Sequence, residues 1–470
     1  MQESIYWYDL ETTGIDAARD RAIQFAGVRT DLDLNVISES TNLFSLPSND
    51  IVPHPEAILV TGIDFNTLVQ DGMSEVRFCD EIIKEFSVPG TCVAGFNSIR
   101  FDDEFTRNLF YRNFHDPYAR EWQHGNSRWD VIDFFRLAHA LRPDGFQWPV
   151  NESGVPSFRL EKLTEVNGIG HDSAHDAVSD VLATIEVVKA LRKAQPKLFD
   201  YMYALRKKNE VVRQLYPLGK NALVHISSMY PARQNCLSIV LPICVHPTNS
   251  NGIICFDLTK DPQALLELNP IELNKRLFTS QAELSPERIP LKTIHVNKCP
   301  AIAPLGTLKG QEERLQINLD QCFDRMRQIQ TASGITEKIH EAFLMSEFKA
   351  HHDPDLMLYQ GGFFSDSDRS LMNEIQRSTP ENLSAFGAQF QDPRLPEMLF
   401  RYRARNFPDV LTDKEKKQWQ AFRENKFKAS FGPMESVSEI EKLRNEGKGA
   451  SCLDTLETYL LDLMSLNWRK

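Results

Sequence analysis

Asp9-Leu10-Glu11 sets two carboxylates two residues apart behind the apolar run Ile5-Tyr6-Trp7-Tyr8. On a strand such residues point to one face. Carboxylates roughly 4 Å apart repel by about 1 kcal/mol in water and by several in a less polar site. A hard divalent cation with oxygen ligands offsets that repulsion. Asp-x-Glu also occurs at solvated turns, so the pair needs support from other segments. One candidate is Gly95-Phe96-Asn97-Ser98-Ile99-Arg100-Phe101-Asp102-Asp103-Glu104-Phe105, where an apolar stretch ends in a polar turn and three acids open a helix. Asp103 and Glu104 read as first-turn acids favoured by the helix dipole. Asp102 alone does not stand out; what raises it is its position beyond the carboxyl end of a second strand, where α/β folds place their sites. The other candidate is His171-Asp172-Ser173-Ala174-His175-Asp176-Ala177-Val178-Ser179-Asp180. Asp172 or Ser173 can cap the helix that follows. His175 sits at its mouth and Asp180 one turn in, so both can face one site. Asp176 reads as a first-turn acid and His171 as a loop residue.

The elements that must carry these residues are legible in outline. Residues 5–10, 21–30 and 34–46 read as strands divided by Thr13-Gly14 and Asp31-Leu32-Asp33. Helical spacing follows over 73–86, closed by Pro89-Gly90, then a strand over 91–96. Helices are expected over about 101–114, 129–141, 158–166 and 174–193, the last stopped by Pro196. Strands interleaved with helices imply an α/β sheet covered by helices. Beyond a charged connector, Lys207-Lys208-Asn209-Glu210, strand-like text appears at 222–227, 236–245, 252–258 and 291–296. It suggests a small β-barrel or sandwich with helical insertions at 260–278 and 310–345. After Asp353-Pro354 the chain reads as all-α.

Composition narrows the class. At 470 residues the chain exceeds a single core. With 41% hydrophobic and 25% charged residues it reads as a soluble globular protein. No apolar run approaches the roughly 18–20 residues that span a bilayer, and Met1–Ser4 has no basic segment, so a cytoplasmic protein is expected. The eight cysteines include no CxxC pair. That excludes a paired-cysteine zinc site and leaves buried free thiols. The net charge of −12 argues against a passive nucleic-acid coat more than against a nuclease, because binding follows local patches.

The ordered set Asp9/Glu11/Thr12, Asn97/Asp102 and His175/Asp180 resembles the proofreading-type exonuclease superfamily with the Asp-Glu-Asp-Asp signature, in its histidine-containing branch. Within it, the bacterial exonuclease I family is the one the chain is similar to. The stretches 101–104, 110–114, 126–130, 156–160, 363–366 and 400–408 carry that resemblance, so it covers essentially the whole chain. Leu10 departs from the pattern, which has an aromatic between the two acids.

The resemblance implies an α/β fold: a ribonuclease H-like exonuclease domain with a mixed sheet over 1–196, an SH3-like β-barrel over 197–350 and a helical domain over 351–470. It implies two Mg²⁺ ions, replaceable by Mn²⁺, held by Asp9, Glu11, Asp102 and Asp180, with His175 as general base at a reference pKa of about 6.5. Single-stranded DNA is the implied substrate, cut from its 3′ end to 5′-mononucleotides in repair and recombination. The arginines and aromatics between the second and third motifs suit a sequence-tolerant strand groove. The resemblance places Arg107, Tyr118, Trp122, Arg136, Phe158 and Arg159 on the strand, beside Glu11 and His175. It also implies a monomer that docks the C-terminal tail of the single-strand-binding protein. Arg401, Arg403 and Arg405 would line a DNA channel if extended, or are solvated or ion-paired. The rivals are an exoribonuclease of the same superfamily, inseparable by five residues blind to the 2′ position, and a catalytically silent binding scaffold.

Overall fold

Strand β1, Ser4–Thr12, is buried along its length except at Asp9, which is half-buried. It pairs antiparallel with β2 (Ala22–Thr30) and parallel with β4 (Thr91–Gly95), while β3 (Thr41–Phe44) pairs antiparallel with β2. The order β3-β2-β1-β4 makes a mixed sheet with β1 inside it. The β1–β2 register shifts between Glu11 and Thr12, and such an irregularity re-aims side chains at a strand's end. Under this sheet Tyr6, Tyr8, Phe25, Phe78, Ile82, Phe86, Phe105 and Phe110 form one core. Helix α1 (Glu75–Phe86) contributes Phe78, Ile82 and Phe86 to it, and α2 (Asp102–Arg112) contributes Phe105 and Phe110. The computed structural model describes residues 3–171, 176–279, 288–345 and 351–465.

Residues group into two units, one of 1–127, 171–182 and 350–470 and the other of 128–170 and 183–349. In the first, the expected C-terminal helical region is present, with helices at Asp366–Ile375, Leu395–Asn406, Asp413–Ala429, Pro433–Asn445 and Ser451–Ser465. It shares cores with the N-terminal segment. Ile58, Phe65 and Leu68 pack with Leu453, Leu456 and Leu460, and Tyr111 and Phe114 with Met398, Leu399 and Tyr402.

Buried ion pairs reinforce this union. Asp50, fully buried, accepts from Arg405 and from Lys426, each at 2.9 Å. Asp355 accepts from Arg401 at 2.9 Å and from Arg405 at 2.6 Å. Burial alone would raise the pKa of Asp50, but Arg405, Lys426 and Arg21 together hold it well below the usual range. Arg403 pairs with Glu415. Of the readings open for Arg401, Arg403 and Arg405, the ion-paired one holds: all three lie on the helix Leu395–Asn406, not on extended chain.

In the second unit the strands Ala301–Pro304, Leu223–Ile226, Leu237–Val245, Gly252–Asp257 and Leu291–His295 form one antiparallel sheet, in that order. The Ala301–Pro304 strand, too short to show a periodicity, escapes the sequence reading. Pro196 does not simply stop a helix; it opens the next, Pro196–Ala204, at a position where a proline lacks no needed donor. Residues 129–130 complete the strand Ser127–Asp130, and the helix starts only at Ile132. All eight cysteines are free and buried, as expected. Among the described residues no helix is long and apolar enough to cross a membrane.

Removing Arg405 would leave the buried Asp50 with Lys426 alone and the buried Asp355 with Arg401, each short of a partner. Arg405→Ala is therefore expected to lower stability by about 3–5 kcal/mol, read by denaturant unfolding. A loss below about 1 kcal/mol would show that the network does not hold the C-terminal helices to the sheet.

Candidate active site

Asp9 and Glu11 leave β1 on the same face, and Asp180 meets them from the first turn of helix α3 (Ala177–Ala194). One carboxylate oxygen from each lies within 4.8 Å of the others. Asp176 accepts from the backbone N–H of Ser179, which caps the start of α3 and agrees with its reading as a structural acid. The approach to α2 is also locally dictated. A Cβ at Gly95 would lie 2.8 Å from the Ser98 Cβ and 3.0 Å from the Tyr8 carbonyl oxygen, so only glycine fits where β4 ends. Asn97 follows at φ 63°, a left-handed conformation that asparagine tolerates. This turn delivers Asp102 buried, and among the described residues its Oδ1 has no hydrogen-bond partner.

The electrostatics follow from crowding acids in a poorly solvated place. Burial, then the charge of Asp180, push the Asp9 carboxyl up to about 8. Burial, then Asp9, Asp180 and Asp176, push Glu11 up to about 9. Burial, then Asp9 and Asp103, hold Asp102 well above the ordinary carboxyl range. An all-oxygen donor set and an orphaned buried carboxylate oxygen suit a hard divalent cation. Asp9, Glu11 and Asp180 are the residues that could hold it, with Asp102 behind them.

His175 lies outside the described residues. His171, read from sequence as a loop residue, does lie in a loop, but its side chain is buried and its Nε2 meets Asp180 Oδ1 at 2.5 Å. Nothing in its spacing separates it from an ordinary loop histidine. The expected strand contacts differ in state. Trp122 is 65% exposed. Arg107 is buried, donating to both Glu121 oxygens at 2.8 and 3.1 Å and to Glu104 at 2.9 Å, and it covers the Tyr118 ring at 5.2 Å. In the second unit Arg159 is exposed. Arg136 pairs with Asp133 at 2.6 Å, and Phe158 is buried against the rings of His139 and Trp148.

In the folded, metal-free chain Asp9 and Glu11 keep their protons up to about 8 and about 9, whereas unfolded carboxyls lose theirs near about 4. The metal-free fold therefore loses stability as pH rises through that window. Cation binding requires the deprotonated groups and strengthens over the same window. The gain in Tm on adding Mg²⁺ should be larger near pH 8.5 than near pH 6; a gain that is absent or falls with pH would contradict the assignment.

Comparison with known proteins places the whole chain. Residues 6–188 match the family model described as exonuclease, 206–345 that of the exonuclease I SH3-like domain and 352–463 that of the exonuclease I C-terminal domain. Exodeoxyribonuclease I of Escherichia coli K12 is 42% identical over 433 residues, 92% of this chain and 91% of that protein. Exonuclease I from Methylocaldum szegediense superposes with a TM-score of 0.93 at 46% identity, covering 98% of this chain and all of that one. E. coli exonuclease I in complex with a dA16 oligonucleotide gives 0.93 at 40% identity, with the same coverage. Related structures are a zinc-bound E. coli exonuclease I–single-stranded DNA complex and an SSB/exonuclease I structure with an inhibitor. From its first strand to its last described helix, this chain belongs to the exonuclease I family.

Proposed function

We propose that this exonuclease removes 5′-mononucleotides from the 3′ end of single-stranded DNA by hydrolysis dependent on two divalent cations, Mg²⁺ or in its place Mn²⁺. The observation that carries the reading is the convergence of Asp9, Glu11 and Asp180 within 4.8 Å at the end of a buried strand. Divalent cations held there supply charge neutralisation for the phosphodiester and a more acidic water. Asp9, Glu11 and Asp180 are the residues that would hold the cations. Asp102 orients solvent with its unpartnered oxygen. His175, five residues before Asp180, takes the proton of the attacking water. His171 holds Asp180 in position through its Nε2.

In this reading 1–196 is the nuclease segment, 197–350 the SH3-like segment and 351–470 the helical one. Strand contacts are proposed on the first unit at Trp122 and Tyr118, with Arg107 against the Tyr118 ring, and separately on the second unit at Arg159, Phe158 and Arg136. The DNA-bound relative supports a single-strand substrate, and the SSB/exonuclease I structure supports binding of the single-strand-binding protein, for which its C-terminal tail is the proposed docking segment. A monomer acting in the cytoplasm in DNA repair and recombination completes the proposal.

Matched single-stranded DNA, duplex DNA and RNA oligonucleotides, with and without a 3′-phosphate, test it in Mg²⁺ or chelator. Mononucleotides are expected from unblocked single-stranded DNA in Mg²⁺ alone; equal digestion of RNA or of the blocked strand would contradict it. Asp9→Ala should lower kcat by about a thousandfold or more, because a cation ligand contributes several kcal/mol to the transition state. Binding of the strand in chelator, read by fluorescence anisotropy, should stay within about threefold of the parent.

A further inference from the structure

One residue away from the acids, on both chain segments, lies a buried polar trio that this function does not absorb. Tyr8 precedes Asp9, and Asp103 follows Asp102. The Tyr8 hydroxyl donates to Asp103 Oδ1 at 2.7 Å. Arg120 donates through Nη2 to the same oxygen at 2.5 Å and to Thr106 Oγ1 at 2.9 Å. Thr106 Oγ1 in turn donates to the carbonyl oxygens of Asp102 and Asp103, at 3.1 and 3.0 Å. Tyr8, Asp103 and Arg120 are all almost fully buried. The Arg120 guanidinium lies 4.9 Å over the Phe86 ring, which also meets the Tyr8 ring edge-on at 5.1 Å.

An apolar trio of the same volume would stabilise a core as well or better, because ions lose more on leaving water than they regain from one another. What the polar trio adds is direction. Neighbours on a strand face opposite ways, so a Tyr8 held in the core keeps Asp9 on the side of the acid cluster. Successive helical residues are turned by about 100°, so an Asp103 held against Tyr8 aims Asp102 away from the core. The trio thus ties β1 to the first turn of α2 at the point where each presents its acid.

We propose that Tyr8, Asp103 and Arg120 form a positioning clamp that fixes Asp102 relative to Asp9 and so sets the turnover of the nuclease without touching strand or cation. This rests on the nuclease reading above. The clamp acts on geometry, and misplacement of reacting groups by about 1 Å costs up to about a hundredfold.

The test measures kcat, KM and the Mg²⁺ concentration for half-maximal rate on a labelled oligonucleotide. It compares the parent with Tyr8→Phe, Asp103→Leu and Asp103→Asn, at a temperature where circular dichroism shows each folded. Tyr8→Phe and Asp103→Leu should lower kcat by about tenfold or more and raise the Mg²⁺ requirement, with KM within about twofold. Asp103→Asn, whose amide oxygen still accepts from Tyr8 and Arg120, should recover most of the parent kcat. Should Asp103→Leu fail to fold, Tyr8→Phe decides alone, since its ring keeps the core filled. A Tyr8→Phe variant with parental kcat and Mg²⁺ requirement, or an Asp103→Asn as slow as a folded Asp103→Leu, overturns the clamp. Asp9→Ala in the same assay separates the two levels. If it is inactive while Tyr8→Phe is unaffected, only the clamp falls; if it is active, the nuclease assignment falls and the clamp with it.

Discussion

Like charge held at close range is the constraint around which the first unit is organised. Asp9, Glu11 and Asp180 present oxygens within 4.8 Å of one another, and in low dielectric such a group is unfavourable by several kcal/mol unless it is protonated or bound to a cation. Burial and mutual repulsion push Asp9 and Glu11 far above ordinary carboxyls. A fold retains such a group only where the surrounding structure over-determines it. The nearly continuous burial of β1 between its two partner strands supplies that rigidity.

The supports differ in kind. Under the sheet, stacked and edge-on aromatic rings fix the strand's inward face. At the end of β4 a glycine and a left-handed asparagine leave a single path into the helix that carries Asp102. Farther out, Asp50 locks the C-terminal helices onto the N-terminal segment through Arg405 and Lys426, and Asp355 joins Arg401 and Arg405 within the C-terminal segment. These buried ion pairs specify a partner geometry more than they add stability. They also explain why an arginine-rich helix that would suit an anionic ligand is instead occupied with internal carboxylates.

Much of this was legible in sequence where period and chemistry coincide. The two-residue spacing of Asp9 and Glu11 needs only a strand, and the position of Asp180 only a helix start. Asp102 was legible by its place beyond a strand, and its unpartnered oxygen gives that position a physical meaning. Other features were hidden because they depend on pairing distant in sequence. Arg401, Arg403 and Arg405 alternate as strand residues would, yet they sit on a helix where Arg401 and Arg405 share Asp355 and Arg403 pairs with Glu415. Asp103 passed as a first-turn acid because Arg120, seventeen residues away, cannot be paired with it by spacing alone. His171 looked like loop text, and only the fold brings it to Asp180. Ala301–Pro304 is too short to show a period and is a strand only because Leu223–Ile226 lies beside it.

In the proposed function the acids at the end of β1 form a divalent-cation centre and not merely a cluster of protonated carboxyls. Electron paramagnetic resonance of free Mn²⁺, titrated at about pH 8 into the parent chain and into Asp9→Asn, tests it most directly. The parent should deplete the free-ion signal, and Asp9→Asn, equally folded, should leave it nearly unchanged. Equal depletion by the two proteins, or none by either, would contradict it.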